Sequence, residues 1–206
     1  MSEIEVITAE ELRVDDAWWR IYDDSLPTSE RESPDTILES IERGVGMAFR
    51  SRRADVTTGL ATTHLLRNPP SVFLVYIAVS KDDRSEGIGG ELFEFSWAES
   101  AERLREQGLE PLGLVWEVDP PQDSLSRKRI SFFERHEGRV LERTYFQPAV
   151  DGKAAVPMKL MFRPAKAGVV TTPETAAALA RAMYFEKYQA VNGLDGSQLE
   201  EMLSWT

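Results

Sequence analysis

Two periods of apolar residues run along the chain, and the places where one gives way to the other mark its elements. Residues 72–79, Val-Phe-Leu-Val-Tyr-Ile-Ala-Val, form an almost unbroken apolar run rich in β-branched and aromatic side chains. That is the pattern of a strand covered on both faces. Ser80 to Asp83 interrupt it with polar turn residues, and Arg84-Ser85-Glu86-Gly87-Ile88-Gly89-Gly90 follows. The period then lengthens: Leu92, Phe93, Phe95, Trp97, Ala98 and Ala101 recur at helical spacing. Gly108 and Pro111 stop that helix, and residues 112–118, Leu-Gly-Leu-Val-Trp-Glu-Val, predict a second buried strand. A strand, a crossover helix and a parallel strand make a right-handed unit.

Upstream, residues 4–7 predict a short strand. Thr8 and Glu11 form a capping box that opens one helix carrying Trp18, Trp19, Ile21, Tyr22 and Leu26, which Pro27 ends. Pro34 at the first position of a second helix, with Ile37, Leu38 and Ile41 as its stripe and Gly44 as terminator, completes a helix–loop–helix. Residues 47–52 and 56–65 predict a strand pair turning over 51–55, with Gly59 marking a bulge. Downstream, a helix is expected over 123–136, a return strand over 139–146, and a last strand over 155–162 joined through Gly152. Residues 165–172 read as a small-residue linker. Thr172-Pro173 then opens a helix with Leu179, Met183, Tyr184, Tyr188 and Ala190 on its apolar side, ended by Asn192-Gly193, and Ser197 with Glu200 caps a final turn. The expected division is a domain over 1–165 and a helical extension over 166–206, packed on that domain or on a second subunit as a homodimer.

Composition narrows the function classes. With 206 residues, 42% hydrophobic and 29% charged, the chain suits one soluble domain with an appendage. There is no Cys, so no thiol nucleophile and no cysteine-ligated metal; with two His, His64 and His136, a histidine metal site is not expected either. No apolar run reaches membrane-span length and no apolar leader follows Met1, so a cytoplasmic protein without a membrane partner is expected. The net charge of −11 argues against nucleic acid and favours a cationic or neutral small substrate.

A glycine-rich loop opening a helix presents free N–H groups at the positive end of the helix dipole, which suits phosphate oxygens. A plainer reading is a turn that only starts the helix. A Walker loop would need Gly-Lys-Ser/Thr where Gly90-Glu91-Leu92 stands, and a dinucleotide loop would need Gly where Leu92 stands. Arg84-x-x-Gly87-x-Gly89, followed by Gly90 and preceded by a buried strand, resembles the pyrophosphate motif of the GCN5-related N-acetyltransferases (GNAT). The run Phe132-Phe133-Glu134-Arg135 is similar to that family's later helix, usually Phe-Tyr-Glu-Arg. The resemblance covers residues 4–162. It implies an α/β fold with a mixed, mostly antiparallel central sheet whose two parallel strands splay apart, flanked by helices. It implies acetyl-CoA as acyl donor, no metal, and transfer to a primary amine of a small molecule or peptide by direct attack in a ternary complex. By that resemblance the backbone of Ile77, Ala78 and Val79 pairs with pantetheine. Arg84, Ser85, Glu86, Gly87, Ile88, Gly89 and Gly90 hold the pyrophosphate, Phe133 lies beside the cofactor, and Tyr22, Glu30 and Arg31 wall the acceptor pocket.

The chain departs from the family at two positions that bear on proton transfer. Val75 stands where many relatives carry Glu, and Phe133 where many carry the Tyr that protonates the thiolate. Glu117 and Asp119 remain, alternating with Val118 and so on one side of their strand. A carboxylate in the middle of a buried strand is costly without a partner or a function, so Glu117 is either the proton acceptor or a salt-bridged structural group. Tyr145 is a further candidate acid, with core packing as the alternative. Two functions stay open: an active N-acetyltransferase, and a catalytically silent acyl-CoA sensor of the same fold.

Overall fold

The computed structural model describes residues 2–150, 154–169 and 171–205. Its strands are β1 (Glu3–Ile7), β2 (Gly46–Arg53), β3 (Val56–Arg67), β4 (Pro70–Val79), β5 (Gly113–Val118), β6 (Arg139–Val140), β7 (Tyr145–Gln147) and β8 (Val156–Pro164). They form one sheet in the order β1-β2-β3-β4-β5-β8-β6, with β7 also paired to β8. Every pairing is antiparallel except β4 with β5, which is parallel and short: Val72 opposite Leu114, Phe73 opposite Val115, Leu74 opposite Trp116. The cause of its early end lies on the other edge of β4. Against β3, Thr62 faces Tyr76 while Thr63 faces Leu74, so Val75 is one residue too many. A bulge bends its strand and sharpens its twist. Here it falls one residue after the last β4–β5 pair, and the two strands diverge from that point.

Side chains alternate across the sheet and divide its cover in two. Val72, Leu74, Leu114 and Trp116 meet Leu92, Phe93, Ile130 and Phe133 of α4 (Ile88–Glu106) and α5 (Ser124–Arg135). The opposite face is shared. Leu60 and Tyr76 pack with Trp18 and Tyr22 under α1 (Ala9–Arg13), α2 (Asp16–Ser25) and α3 (Pro34–Glu42). Beside them Leu66, Phe73 and Val115 pack with Leu179, Met183, Tyr184 and Tyr188 of the C-terminal segment, which runs as α6 (Pro173–Ala182), a π-helical turn (Met183–Gln189) and α7 (Gly196–Ser204). Two buried charges tie that segment to the loop before α3: Lys187 and Glu32, 2% and 7% exposed, form an ion pair.

Local capping and bulging override the expected periodicity at several points. The helix expected from Thr8 to Leu26 is two. The Thr8–Glu11 capping box forms, but the first helix ends at Arg13, and Asp15 caps the second by accepting from the Trp18 amide at 2.9 Å. An Asp side chain competes with helical bonding in this way when its oxygen can reach an amide two or three residues on. The bulge expected at Gly59 sits one residue earlier: Ser51 faces Gly59 and Arg52 faces Thr57, which leaves Thr58 unpaired. Gly59 instead permits close packing, since a Cβ there would lie 2.8 Å from Leu92 Cδ1 of α4. The return strand expected over 139–146 breaks into β6 and β7 because the Arg143 amide turns back onto the Leu141 carbonyl at 2.9 Å. Asp195, rather than Ser197, caps the last helix. The connection expected through Gly152 lies outside the described residues.

Candidate active site

The diverging strands leave backbone groups of β4 open. Ala61 and Leu60 of β3 pair with Ile77 and Ala78, and Gly59 with Val79, but past Leu74 no described strand pairs with the other edge. A single 3₁₀ turn (Lys81–Asp83) then leads to the glycine loop. Ser85 and Gly87 have φ of +71° and +89°, and Gly87 caps α4 without any side-chain bond. The amides of Gly90 and Glu91 bond to the Gly87 carbonyl at 2.9 and 3.1 Å. Those of Ile88 and Gly89 have no described partner, so the helix start faces outward with unsatisfied donors. Arg84 donates from Nε to the Val79 carbonyl at 3.2 Å, fastening the loop to the end of β4, and Arg53 pairs with Glu86 and Asp83 to brace its flank. A Cβ on Gly89 would meet Val79 and Phe132 only at 3.6 Å and beyond, whereas one on Gly90 would crowd His136 Nε2 at 3.0 Å. A Cβ at 90 would need the His136 ring to yield by a few tenths of an ångström, whereas one at 89 has room.

Between the splayed strands lies a cavity of about 150 Å³, bordered by Val75 and Ile77 on one side, Glu117 and Trp116 on the other, and Glu30 and Phe133 across its mouth. Trp116 points toward α5, so its neighbour Glu117 points to the opposite face. There two hydroxyls donate to the carboxylate: Tyr145 to Oε1 at 2.6 Å, and Tyr188 to Oε1 and Oε2 at 3.0 and 2.8 Å. Burial pushes the Glu117 carboxyl up to about 7; the two tyrosine hydrogen bonds oppose that rise, and the negative charges of Glu30 and Glu32 add to it. The two carboxylates expected on one side of β5 have different partners. Asp119 also borders the cavity but is ion-paired with Arg129.

The remaining sequence candidates fall at different depths. Glu30 borders the cavity, half-buried, its carboxyl raised by burial and then by the charge of Asp119. Tyr22 lies behind the wall at 2% exposure, accepting from the Glu32 amide at 2.9 Å. Arg31 holds the loop itself, paired with Asp23 and bonded to Thr28 Oγ1 at 2.7 Å. Phe133 packs 5.0 Å from Trp116 and 5.5 Å from Phe93, ring centre to ring centre, and brings no hydroxyl to the cavity. Tyr145 is enclosed, and burial followed by the Glu117 charge drives its phenol well above the usual range. Tyr188 and Gln147 join the site although the sequence pattern does not single them out. Gln147 borders the cavity, its side-chain carbonyl oxygen buried without a partner.

No three His, Asp or Glu side chains gather into a metal-ligating group among the described residues, and no described helix is long and apolar enough to cross a membrane.

A scan against protein-family models finds no match, and neither does a search of curated proteins. Solved structures do match. A protein assigned as a GNAT-family acetyltransferase from Bacteroides thetaiotaomicron superposes with a TM-score of 0.70 at 19% identity, covering 94% of this chain and 99% of that one. The ribosomal-protein-S18-alanine N-acetyltransferase of Escherichia coli gives 0.58 at 19%, covering 82% and 99%. Arabidopsis thaliana NAA60, solved with a bisubstrate analogue, gives 0.58 at 15%, covering 80% and 98%. At these identities the likeness is one of fold, and the fold is that of the GNAT acetyltransferases: an open mixed sheet, two parallel strands parting at a bulge, and a glycine loop opening the helix between them.

Proposed function

We propose that the chain is an acetyl-CoA-dependent N-acetyltransferase that acetylates a primary amine of a small molecule or peptide by direct attack in a ternary complex. The observation that carries this reading is the Glu117 carboxylate, poised near neutrality at the edge of the cavity between β4 and β5. Bound acetyl-CoA supplies a thioester carbonyl as the electrophile. The open amides of Ile88 and Gly89, the positive end of α4 and Arg84 suit its pyrophosphate, and the unpaired edge of Ile77, Ala78 and Val79 suits the amides of pantetheine. An acceptor amine reaches neutral pH as an ammonium ion and must lose a proton before it can attack. Glu117, ionised above about 7, is placed to accept that proton. Its protonated form is then an acid within the cavity, at a site where Phe133 offers none. Glu30 and Asp119 face one cation, Arg129, at the cavity mouth, an excess of negative charge that favours an acceptor with a second cationic group. A cytoplasmic setting fits the donor.

The deciding experiment is a panel of mono-, di- and polyamines and peptides incubated with acetyl-CoA, with free thiol as the readout. Turnover, strongest on dicationic amines, is the expected result. Binding of acetyl-CoA without turnover on any amine would favour the sensor reading instead, whose support is the absence of a hydroxyl at Phe133.

The loop assignment has its own check. Because a Cβ at 89 meets only ordinary contacts in the protein, Gly89→Ala is expected to keep its melting temperature. If phosphate oxygens approach that backbone, the same change should weaken acetyl-CoA binding by about tenfold or more, since close approach of a ligand is what a missing Cβ permits. Unchanged affinity by calorimetry would remove the pyrophosphate from this loop.

A further inference from the structure

We propose that the C-terminal segment is part of the active site, and that Tyr188 on its π-helical turn is the positioning residue that fixes the direction and proton affinity of Glu117. This deepens the reading of Glu117 as the base and rests on it.

The geometry comes from three separated stretches of chain. Glu117 is on β5, Tyr145 on β7, and Tyr188 on the segment beyond the return strand, yet both phenol hydroxyls lie within 3.0 Å of one carboxylate. Tyr188 spans both carboxylate oxygens, at 3.0 and 2.8 Å, while Tyr145 reaches Oε1 alone. Each hydroxyl carries one proton, so Tyr145 engages Oε1 while the Tyr188 proton is shared between the two oxygens and lies nearer Oε2. An ionised carboxylate can only accept, so Tyr188 is the donor in both contacts with Glu117. A donor held in that sense stabilises the carboxylate over the acid.

The π-helical turn explains how a packing helix delivers this contact. The turn places Tyr184 and Tyr188 on the buried side, at 1% and 3% exposure, with different partners. Tyr184 donates to the Phe146 carbonyl at 2.5 Å and makes no bond to Glu117, whereas Tyr188 does. The adjacent residue, Lys187, pairs with Glu32 and anchors the turn to the loop that walls the cavity. The other groups around Glu117 are Glu30 from the 3₁₀ turn (Thr28–Glu30), Glu32 with its partner Lys187, Asp119 with Arg129, and Tyr145. Burial first, and then the charges of Glu30 and Glu32, oppose ionisation of Glu117, and the tyrosine donors counter that rise.

Tyr188→Phe removes one oxygen and keeps the ring. It is expected to move the titration of Glu117 alkaline by about one pH unit, as loss of a hydrogen bond to a charged group implies. The measurement is carbon-13 NMR of the Glu117 side-chain carboxyl, assigned with Glu117→Gln, beside the acidic limb of kcat/KM. Tyr184→Phe, a comparable loss on the same turn, should leave the titration where it was. Incorporating 3-fluorotyrosine at 188, a stronger donor with the same packing, should move it the other way and covers the case in which Tyr188→Phe does not fold. A titration unmoved by either change at 188 overturns the proposal and leaves the segment as packing alone. If the carboxyl titration moves while the kcat/KM limb does not follow it, Tyr188 still positions Glu117, and the base reading is what fails.

Discussion

Replacing Glu117 by glutamine is expected to lower kcat by about 10²–10⁴-fold, the usual contribution of a positioned general base, with acetyl-CoA affinity nearly unchanged. Gln keeps the length of the side chain and one oxygen for the hydroxyls of Tyr145 and Tyr188, but it cannot take a proton. The wild type should show an acidic limb in kcat/KM near pH 7, rate falling as Glu117 becomes protonated below that value. The variant should lose the limb as well as the rate. Stability moves the opposite way. The Glu117 carboxyl titrates at about 7 in the fold against an ordinary 4.5, so between those values the folded chain binds a proton that the unfolded chain has released. Wild-type stability therefore falls as pH rises through that window, by an amount on the order of 3 kcal/mol. Glu117→Gln carries no such cost and should melt above the wild type at pH 8, with the gap closing toward pH 4.5. Full activity in the variant would end the base role. A variant that unfolds at every pH would make Glu117 a structural carboxylate.

The parts of this site that sequence reveals are those built from consecutive residues. The buried run of β4, the glycine loop, α4 and β5 each carry their own periodicity, and Glu117 stands out because a carboxylate inside an apolar strand needs a reason. The angle between β4 and β5 is not legible in the same way. It depends on the extra residue at Val75, and a bulge is a mismatch between two strands that neither strand encodes alone. Likewise Asp15 sits in phase with a helical pattern and reads as part of it, until its oxygen is seen to cap the next turn. Tyr188 follows the apolar stripe of its helix, and nothing nearby in sequence explains its hydroxyl, because its partner is 71 positions away. A polar-tipped ring on a buried stripe implies a partner but does not name one. The expected wall of the cavity is only partly correct for the same reason. Tyr22, Glu30 and Arg31 lie close together in sequence, but which of them faces inward is decided by the packing of Trp18 and Tyr76 around Tyr22.

Lys187→Met should give the largest loss of stability of any single change near the site, about 3–5 kcal/mol, the cost of leaving one partner of a buried ion pair behind. For a chain of this size that corresponds to a fall in melting temperature on the order of 10 °C. Methionine matches the lysine stem in length, so the loss would come from charge rather than from a cavity. The stranded group is Glu32, 7% exposed, whose remaining side-chain partner is the Asn192 amide at 2.5 Å. Its backbone amide is held by the hydroxyls of Tyr22 and Tyr76 at 2.9 and 3.1 Å, so the loop cannot swing the carboxylate out to water without giving up both bonds. Adding Glu32→Gln to Lys187→Met removes the stranded charge and should recover most of the loss, which a double-mutant cycle measures directly. The same pair bears on His64. Burial first and the Lys187 charge next hold its imidazole down to about 3, so the ring is neutral near pH 7. Because the charge of Glu32 also raises Glu117, the single variant should shift the acidic limb of kcat/KM alkaline, and the double variant should shift it back. A single variant as stable as the wild type would mean that the C-terminal segment is held by its apolar face alone.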